Sequence, residues 1–330
     1  MAGQPSYLIV VGASAGGVEA LRDFVTGLES DLPAAVLVVL HLPPGGSSAL
    51  PAILSRAGTI PAVAAEQRMR LAAGTVYAAV PDHHLLVSDG RVLLSRGPTE
   101  NGHRPGVDAL FRSAALEWGP RAVGVVLSGS LDDGTAGLIV IKSQGGLAVV
   151  QDPQEALYRS MPENALTRAP VDVIAPARKI GVAVAEGLRA RPVGSIPSQP
   201  SGLDRLEVEI DAGVDMDSEQ VTRWAQPSGL ICPDCGGALF SLAEATRYRC
   251  RVGHAWSAEA LLLEQNAEID KALWTAVRVL EEKRQLADRM RVDAERRGQD
   301  LLAARYCEQQ SEHAHAGAVL RQLLDRRNLH

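Results

Sequence analysis

The chain has 330 residues, a formal net charge of −6, 46% hydrophobic and 22% charged residues. That length supports one large core or two domains, and that balance excludes wholesale disorder. The acidic charge offers no global attraction to nucleic acid, no apolar run reaches the length of a membrane span, and no basic residue precedes Arg22 as a secretory signal requires. The expectation is a cytoplasmic protein that neither binds nucleic acid nor inserts into a membrane. Its four cysteines should then be reduced thiols or metal ligands.

Short apolar runs alternate with helical patterns from residue 7 to about 185, which predicts an α/β fold with a doubly wound, mostly parallel sheet. Strands are expected at 7–11, 35–40, 75–79, 122–127, 147–150 and 171–174, and helices at 17–28, 107–118, 134–143 and 180–189. Asp89-Gly90 sits between two apolar runs and predicts a hairpin turn, read as an antiparallel excursion on the main sheet. From 191 to 202 the sequence fills with Pro, Ser and Gly, a linker signature. The expected division is a first domain over 1–190, a linker and short helical lead-in over 191–227, a Cys/His module over 228–256, and a helical hairpin over 257–330. In that hairpin Ile269, Leu273, Ala276, Leu280, Ala287 and Met290 form one stripe. Leu302, Tyr306, Gln309, His313, Ala316, Leu320 and Leu323 form a heptad seam on the second helix.

Three polar residues fall just after predicted strands. Ser14 crowns the turn Gly12-Ala13-Ser14-Ala15-Gly16-Gly17, His41 follows 35–40 directly, and Asp132-Asp133 follow Ser128-Gly129-Ser130-Leu131. Consecutive strand ends of a parallel sheet point to one edge, so a Ser, a His and an Asp should meet there. Acyl transfer needs that set: an imidazole to take the hydroxyl proton, a carboxylate to orient the imidazole, and backbone N–H groups for the oxyanion. Each residue alone has a simpler reading. Ser14 fits a helix N-cap or a phosphate-binding turn, His41 a satisfied polar residue, and either aspartate a cap for the helix after Gly134. His83, His84 and His103 read as surface or site-rim residues. Tyr158 and Met161 are candidates for the cleft lining.

Five ordered segments resemble the catalytic domain of the CheB-like chemotaxis protein-glutamate methylesterases. They are Gly12 to Gly17, His41-Leu42-Pro43, Arg104-Pro105-Gly106-Val107-Asp108-Ala109-Leu110-Phe111, Asp133-Gly134-Thr135-Ala136-Gly137 and Met161-Pro162. The resemblance implies Ser14 as nucleophile, His41 as general base and acid, and Asp133, directly before Gly134, as the orienting carboxylate. It implies a hydrolase acting on glutamate γ-methyl esters of chemoreceptor cytoplasmic helices, with deamidation of glutamine as a related activity. Two departures stand out. The family's Thr-Gly-Met-Gly is Ser128-Gly129-Ser130-Leu131 here, and a backbone donor at Ser130 could still serve the oxyanion. The family usually carries a receiver domain ahead of this one, so the expectation is a stand-alone esterase controlled through its C-terminal half or another protein. Two other functions fit the same residues: an adaptor without enzymatic activity working through its C-terminal half, and a serine esterase or amidase with a non-receptor substrate.

Cys232-Pro233-Asp234-Cys235-Gly236-Gly237 is a knuckle, and Cys250 and His254 follow after a gap that holds a hairpin. Three thiolates and one imidazole make a closed tetrahedral site, so the predicted cofactor is a structural zinc ion on Cys232, Cys235, Cys250 and His254, with none for catalysis. Arg247, Arg249 and Arg251 read as a solvated face. Cys307 reads as a packed thiol, and the helical hairpin as a surface for a second copy or for other chemotaxis signalling proteins.

Overall fold

The computed structural model describes residues 3–41, 45, 48–190, 199–214, 224–242 and 246–327. Its organising element is β1 (Tyr7–Ala13), buried along nearly its whole length. It pairs in parallel with β2 (Ala34–Leu40) on one side and β7 (Ala122–Val126) on the other. With β3 (Ala62–Ala64), β4 (Thr75–Ala78), β8 (Leu147–Gln151) and β9 (Val173–Ala175) they form a seven-stranded parallel sheet in the order β3-β4-β2-β1-β7-β8-β9. The expected doubly wound α/β architecture is therefore the observed one.

Such a sheet is buried on both faces, which is why its strands read as unbroken apolar runs. Alternate residues feed opposite cores. Leu8 and Val10 pack with α3 (Val107–Trp118), α4 (Thr135–Ser143) and α5 (Ser160–Arg168); Ile9 and Val11 pack with α1 (Gly17–Thr26), α2 (Leu50–Ala57) and α6 (Ala177–Ala190). The strand order reverses direction at β1. The edge beyond the carboxyl ends of β1, β2 and β7 is thus the crevice where an open α/β sheet holds its ligands.

The Asp89-Gly90 hairpin forms as expected, with both residues at positive φ between β5 (His84–Ser88) and β6 (Arg91–Ser95). It is not part of the main sheet. It is a separate two-stranded ribbon held against α3, where Ser113 Oγ accepts from Val87 N–H and His84 Nδ1 accepts from Gly106 N–H. The first of these contacts satisfies a backbone donor that a neighbouring strand of the main sheet would otherwise have paired.

Within 191–227, residues 191–198 and 215–223 lie outside the described residues. Between them α7 (Gly202–Asp211) starts on a capping box, Ser201 and Asp204 bonding each other's backbone N–H. The Cys/His module is an antiparallel sheet of β10 (Gln226–Ile231), β11 (Ala238–Leu242), β12 (Arg247–Cys250) and β13 (Ala255–Ser257).

Two compact units comprise Met1–Leu261 and Leu262–His330. The second holds most of α8 (Ala258–Arg296) and all of α9 (Asp300–Arg327), which turn back on each other around Gly298 at φ 71°. Arg327 pairs with Asp270 and Gln310 with Asp288 across the hairpin. The seam departs from the expected one at its ends. Ile269, Met290, Leu302 and Leu323 are exposed, while Ala303 and Leu324 are buried. A straight helix drifts against a strict heptad, so the contact stripe shifts by one residue. Cys307 is exposed, not packed. Among the described residues, no helix is long and apolar enough to cross a membrane.

Candidate active site and metal site

The turn after β1 is locked to its neighbours by main-chain bonds. His41 N–H donates to Ala13 C=O, Leu127 N–H to Gly12 C=O, and Ser14 N–H to Ser128 C=O. Ser14, His41 and Asp133, distant in sequence, are thereby delivered to one point. Ser14 Oγ lies 3.1 Å from His41 Nδ1, and His41 Nε2 lies 2.8 Å from Asp133 Oδ2. An ionised carboxylate can only accept, so Nε2 carries the proton and Nδ1 presents a lone pair to the Ser14 hydroxyl. Leu42, Pro43 and Pro44, which follow His41 in the motif, lie outside the described residues.

Asp133 has more partners than the imidazole. Its Oδ2 also accepts from Val107 N–H, and its Oδ1 from the N–H groups of Asp108 and Gly134. Gly106, at the start of α3, has no side chain to cap that helix, so the Asp133 carboxylate acts as the cap and sits on the positive end of the helix dipole. Burial alone would raise the Asp133 carboxyl. The His41 bond and charge, then the donors from Val107 and Asp108, outweigh burial and hold it below the usual range. Asp132, the alternative left open by spacing, points elsewhere: it accepts from Ser257 Oγ and pairs with Arg168.

The close approach of α3 to β1 depends on Gly12, where an added Cβ would lie 2.1 Å from a Val107 methyl. Gly129 is similarly constrained, its missing Cβ falling 2.0 Å from Met161 Sδ and 3.0 Å from Ser14 Cβ. Met161 is therefore fully buried core behind the site and lines no cleft, whereas Tyr158 is exposed.

One further residue, whose sequence position suggests only the rim, belongs to the site. His103 stacks on His41, ring centroids 4.1 Å apart and planes 17° from parallel. Burial first, then the neighbouring His41 charge, lowers its pKa to about 4, so the ring facing His41 is neutral at ordinary pH. The signal for it was present: Asn101 and Gly102 both take positive φ in a tight turn closed by reciprocal bonds between Glu100 and His103.

The four expected metal ligands also converge. One donor atom from each of Cys232, Cys235, Cys250 and His254 lies within 4.8 Å of every other. Cys235 Sγ is 3.7 Å from Cys250 Sγ, and His254 Nδ1 is 3.7 and 3.6 Å from Cys232 Sγ and Cys250 Sγ. A tetrahedral ion with bonds of about 2.0–2.3 Å requires edges of about 3.6–3.8 Å, which these three distances match, and the remaining donor pairs lie within 4.8 Å. The sulfur–sulfur spacing is far too long for a disulfide, whose sulfurs stand about 2.05 Å apart. Burial, followed by the neighbouring thiols, pushes the Cys250 thiol up to about 12, a cost that a cation removes.

The arginines of this module are not a solvated face. Arg249 is buried and pairs with Glu100, Glu207 and Asp211; Arg247 pairs with Glu207. Arg112 of α3 joins through Glu100 and Asp211. Only Arg251 is exposed, its guanidinium near the Phe240 ring. Burial alone would raise Glu207 and Asp211, but the arginines hold both carboxyls below the usual range.

With this geometry in place, comparison with known proteins gives a clear result. The model of the CheB methylesterase family matches residues 9–184. The chain belongs to the CheB methylesterase family. It is 37% identical over 173 residues to a Geobacter metallireducens protein named protein-glutamate methylesterase/protein-glutamine glutaminase 1, covering 51% of this chain and 47% of that one. A Burkholderia pseudomallei protein of the same name is 40% identical over 173 residues, with the same two coverages. The chain thus spans about half the length of the curated relatives it matches. The crystal structure of the Thermotoga maritima CheB methylesterase catalytic domain superposes with a TM-score of 0.52 at 30% identity, covering 55% of this chain and 97% of that one. Within this CheB-type domain, the crevice at β1 is the edge where Ser14, His41 and Asp133 meet.

Proposed function

We propose that this chain is a protein-glutamate methylesterase that hydrolyses γ-methyl esters of glutamate on chemoreceptor cytoplasmic helices, releasing methanol. The observation that carries the reading is the unbroken relay from Ser14 Oγ through His41 to Asp133 in a CheB-family domain. His41 Nδ1 takes the Ser14 proton as Oγ attacks the ester carbonyl, and Asp133 stabilises the imidazolium that forms. His41 then protonates the departing methoxide. Water, activated by the same imidazole, releases the glutamate carboxylate. The N–H groups of Ala15 and Ser130 donate to no other described residue, and they are assigned to the oxyanion. The same attack on a primary amide would release ammonia, which suits the glutaminase activity in the names of the relatives.

Zinc is the ion assigned to the Cys232, Cys235, Cys250 and His254 cluster, on the strength of three thiols and one imidazole at tetrahedral spacing. All four positions are filled by protein, so its role is structural. The division into a catalytic domain, a linker with a lead-in helix, a zinc module and a helical hairpin is part of the same reading. So are a cytoplasmic location and the use of that hairpin to engage signalling proteins. Incubating the protein with methyl-labelled receptor fragments and collecting volatile methanol tests the activity. Replacing Ser14 with Ala should lower methanol release by about 10⁴-fold. Near-unchanged release would remove the nucleophile assignment.

A further inference from the structure

Ser257 is the last residue of β13 and the residue before α8, three positions after His254. Two loops meet on it. Its backbone N–H donates to Asn101 Oδ1 at 2.6 Å, and its hydroxyl donates to Asp132 Oδ1 at 2.6 Å. Asn101 opens the turn whose far end places His103 on the His41 ring, and Asp132 is the immediate neighbour of Asp133. The same edge of the module grips the turn further: Asn101 N–H donates to Ala255 C=O and Ala255 N–H to Thr99 C=O. On the other side, Arg168 completes the hold on Asp132.

Both flanks of His41 therefore reach back to one residue of the Cys/His module: the stacked ring through Asn101, the carboxylate through Asp132. Asn101, at φ 51°, is a residue type that accepts the left-handed region, but Leu131, at φ 63° within the same grip, is strained. Backbone held in that region persists only where its surroundings over-determine it. We propose that Ser257 is a positioning residue for the catalytic imidazole, clamping the His103 turn to the Asp133 turn so that the Cys/His module sets the alignment of His41 with Ser14. The proposal rests on the reading of Ser14, His41 and Asp133 as the catalytic set. A clamp of this kind acts on the chemical step and not on substrate binding, because Ser257 touches neither reacting atom.

The test uses the full-length protein and a fluorophosphonate probe that labels an activated serine whatever the natural substrate, alongside methyl-ester hydrolysis. In Ser257→Ala, labelling of Ser14 and kcat should both fall about tenfold or more with KM little changed, as expected when a catalytic group loses its alignment. Ser257→Thr, which keeps the hydroxyl, should restore most of both. If Ser257→Ala does not fold, Asn101→Gly carries the same test, since glycine keeps the positive φ and removes the Oδ1 acceptor. Labelling at the unsubstituted rate in a folded variant would overturn the proposal, as would a KM change at constant kcat or a failure of threonine to rescue. No labelling of Ser14 in the unsubstituted protein would overturn both this proposal and the catalytic reading. Labelling without methanol release would remove only the methyl-ester substrate and leave the comparison of labelling rates decisive.

Discussion

Four donors converge on the Asp133 carboxylate: the His41 ring and the N–H groups of Val107, Asp108 and Gly134. An amide at this position has one acceptor oxygen and turns its NH₂ toward groups that themselves donate, so Asp133→Asn should be costly twice. Ester hydrolysis should fall by about 10³–10⁴-fold through loss of the imidazole tautomer and its counter-charge, and the unpaired buried donors should cost about 1–3 kcal/mol of stability. Steady-state kinetics and urea unfolding read the two effects separately. His103 yields a pH prediction. It titrates near 6.5 in an unfolded chain and at about 4 in the fold. Between those values the unfolded chain holds a proton that the folded chain does not, so this contribution is intact above about pH 6.5 and is lost as pH falls toward about 4. His103→Phe keeps a stacked ring without the titration. Its urea midpoint should change less between about pH 7 and pH 5 than that of the unsubstituted chain; an equal change would assign the decline to other groups.

At the scale of elements, α3, α7 and β12 are joined by a buried cluster in which Arg112, Arg247 and Arg249 meet Glu100, Glu207 and Asp211. Removing one arginine leaves three buried carboxylates sharing two guanidinium groups, one negative charge in excess in a buried site. Arg249→Met should therefore cost about 3–5 kcal/mol, read as a lower urea midpoint for the first unit; a change below about 1 kcal/mol would mean that water replaces the guanidinium. Nothing in the sequence announced this cluster, because Arg112 and Asp211 are 99 residues apart and Arg249 and Glu100 are 149 apart. Spacing-based reasoning sees a charge and assigns it to solvent. β1, β2, β7 and β8, in contrast, were legible to within a residue or two, since a strand covered on both faces must be apolar throughout. α2 and α5 leave little trace in the sequence because each buries few side chains. In α2 only Leu50 and Leu54 are fully enclosed, and α5 carries Pro162 in its first turn, where a helix tolerates it.

For the molecule as a whole, the site was legible wherever topology alone decides it. Strand ends of a parallel sheet share an edge, so Ser14, His41 and the Asp132-Asp133 pair could be expected there. Topology leaves the two aspartates open, the family resemblance selects Asp133, and the N–H groups at the α3 N-terminus give the physical reason. The second layer of the site was not legible, because it depends on how the Cys/His module packs against the catalytic loops. That module has a small core of its own, chiefly Leu239, Trp256, Ala260 and Leu261 around the buried Cys232 and Cys250. So little apolar area covers little of the entropy of ordering four short strands, and a metal held by the Cys/His cluster would supply much of the remainder. Purified protein should then contain close to one zinc per chain. A strong chelator should release it with loss of hydrogen-exchange protection over β10–β13, while β1, β2 and β7 keep theirs, because their core lies on the seven-stranded sheet. Adding zinc back should restore the protection. A chelated protein whose β10–β13 amides stay protected would show that the buried arginine–carboxylate cluster holds the module without metal, and would remove zinc from the list of what keeps it folded.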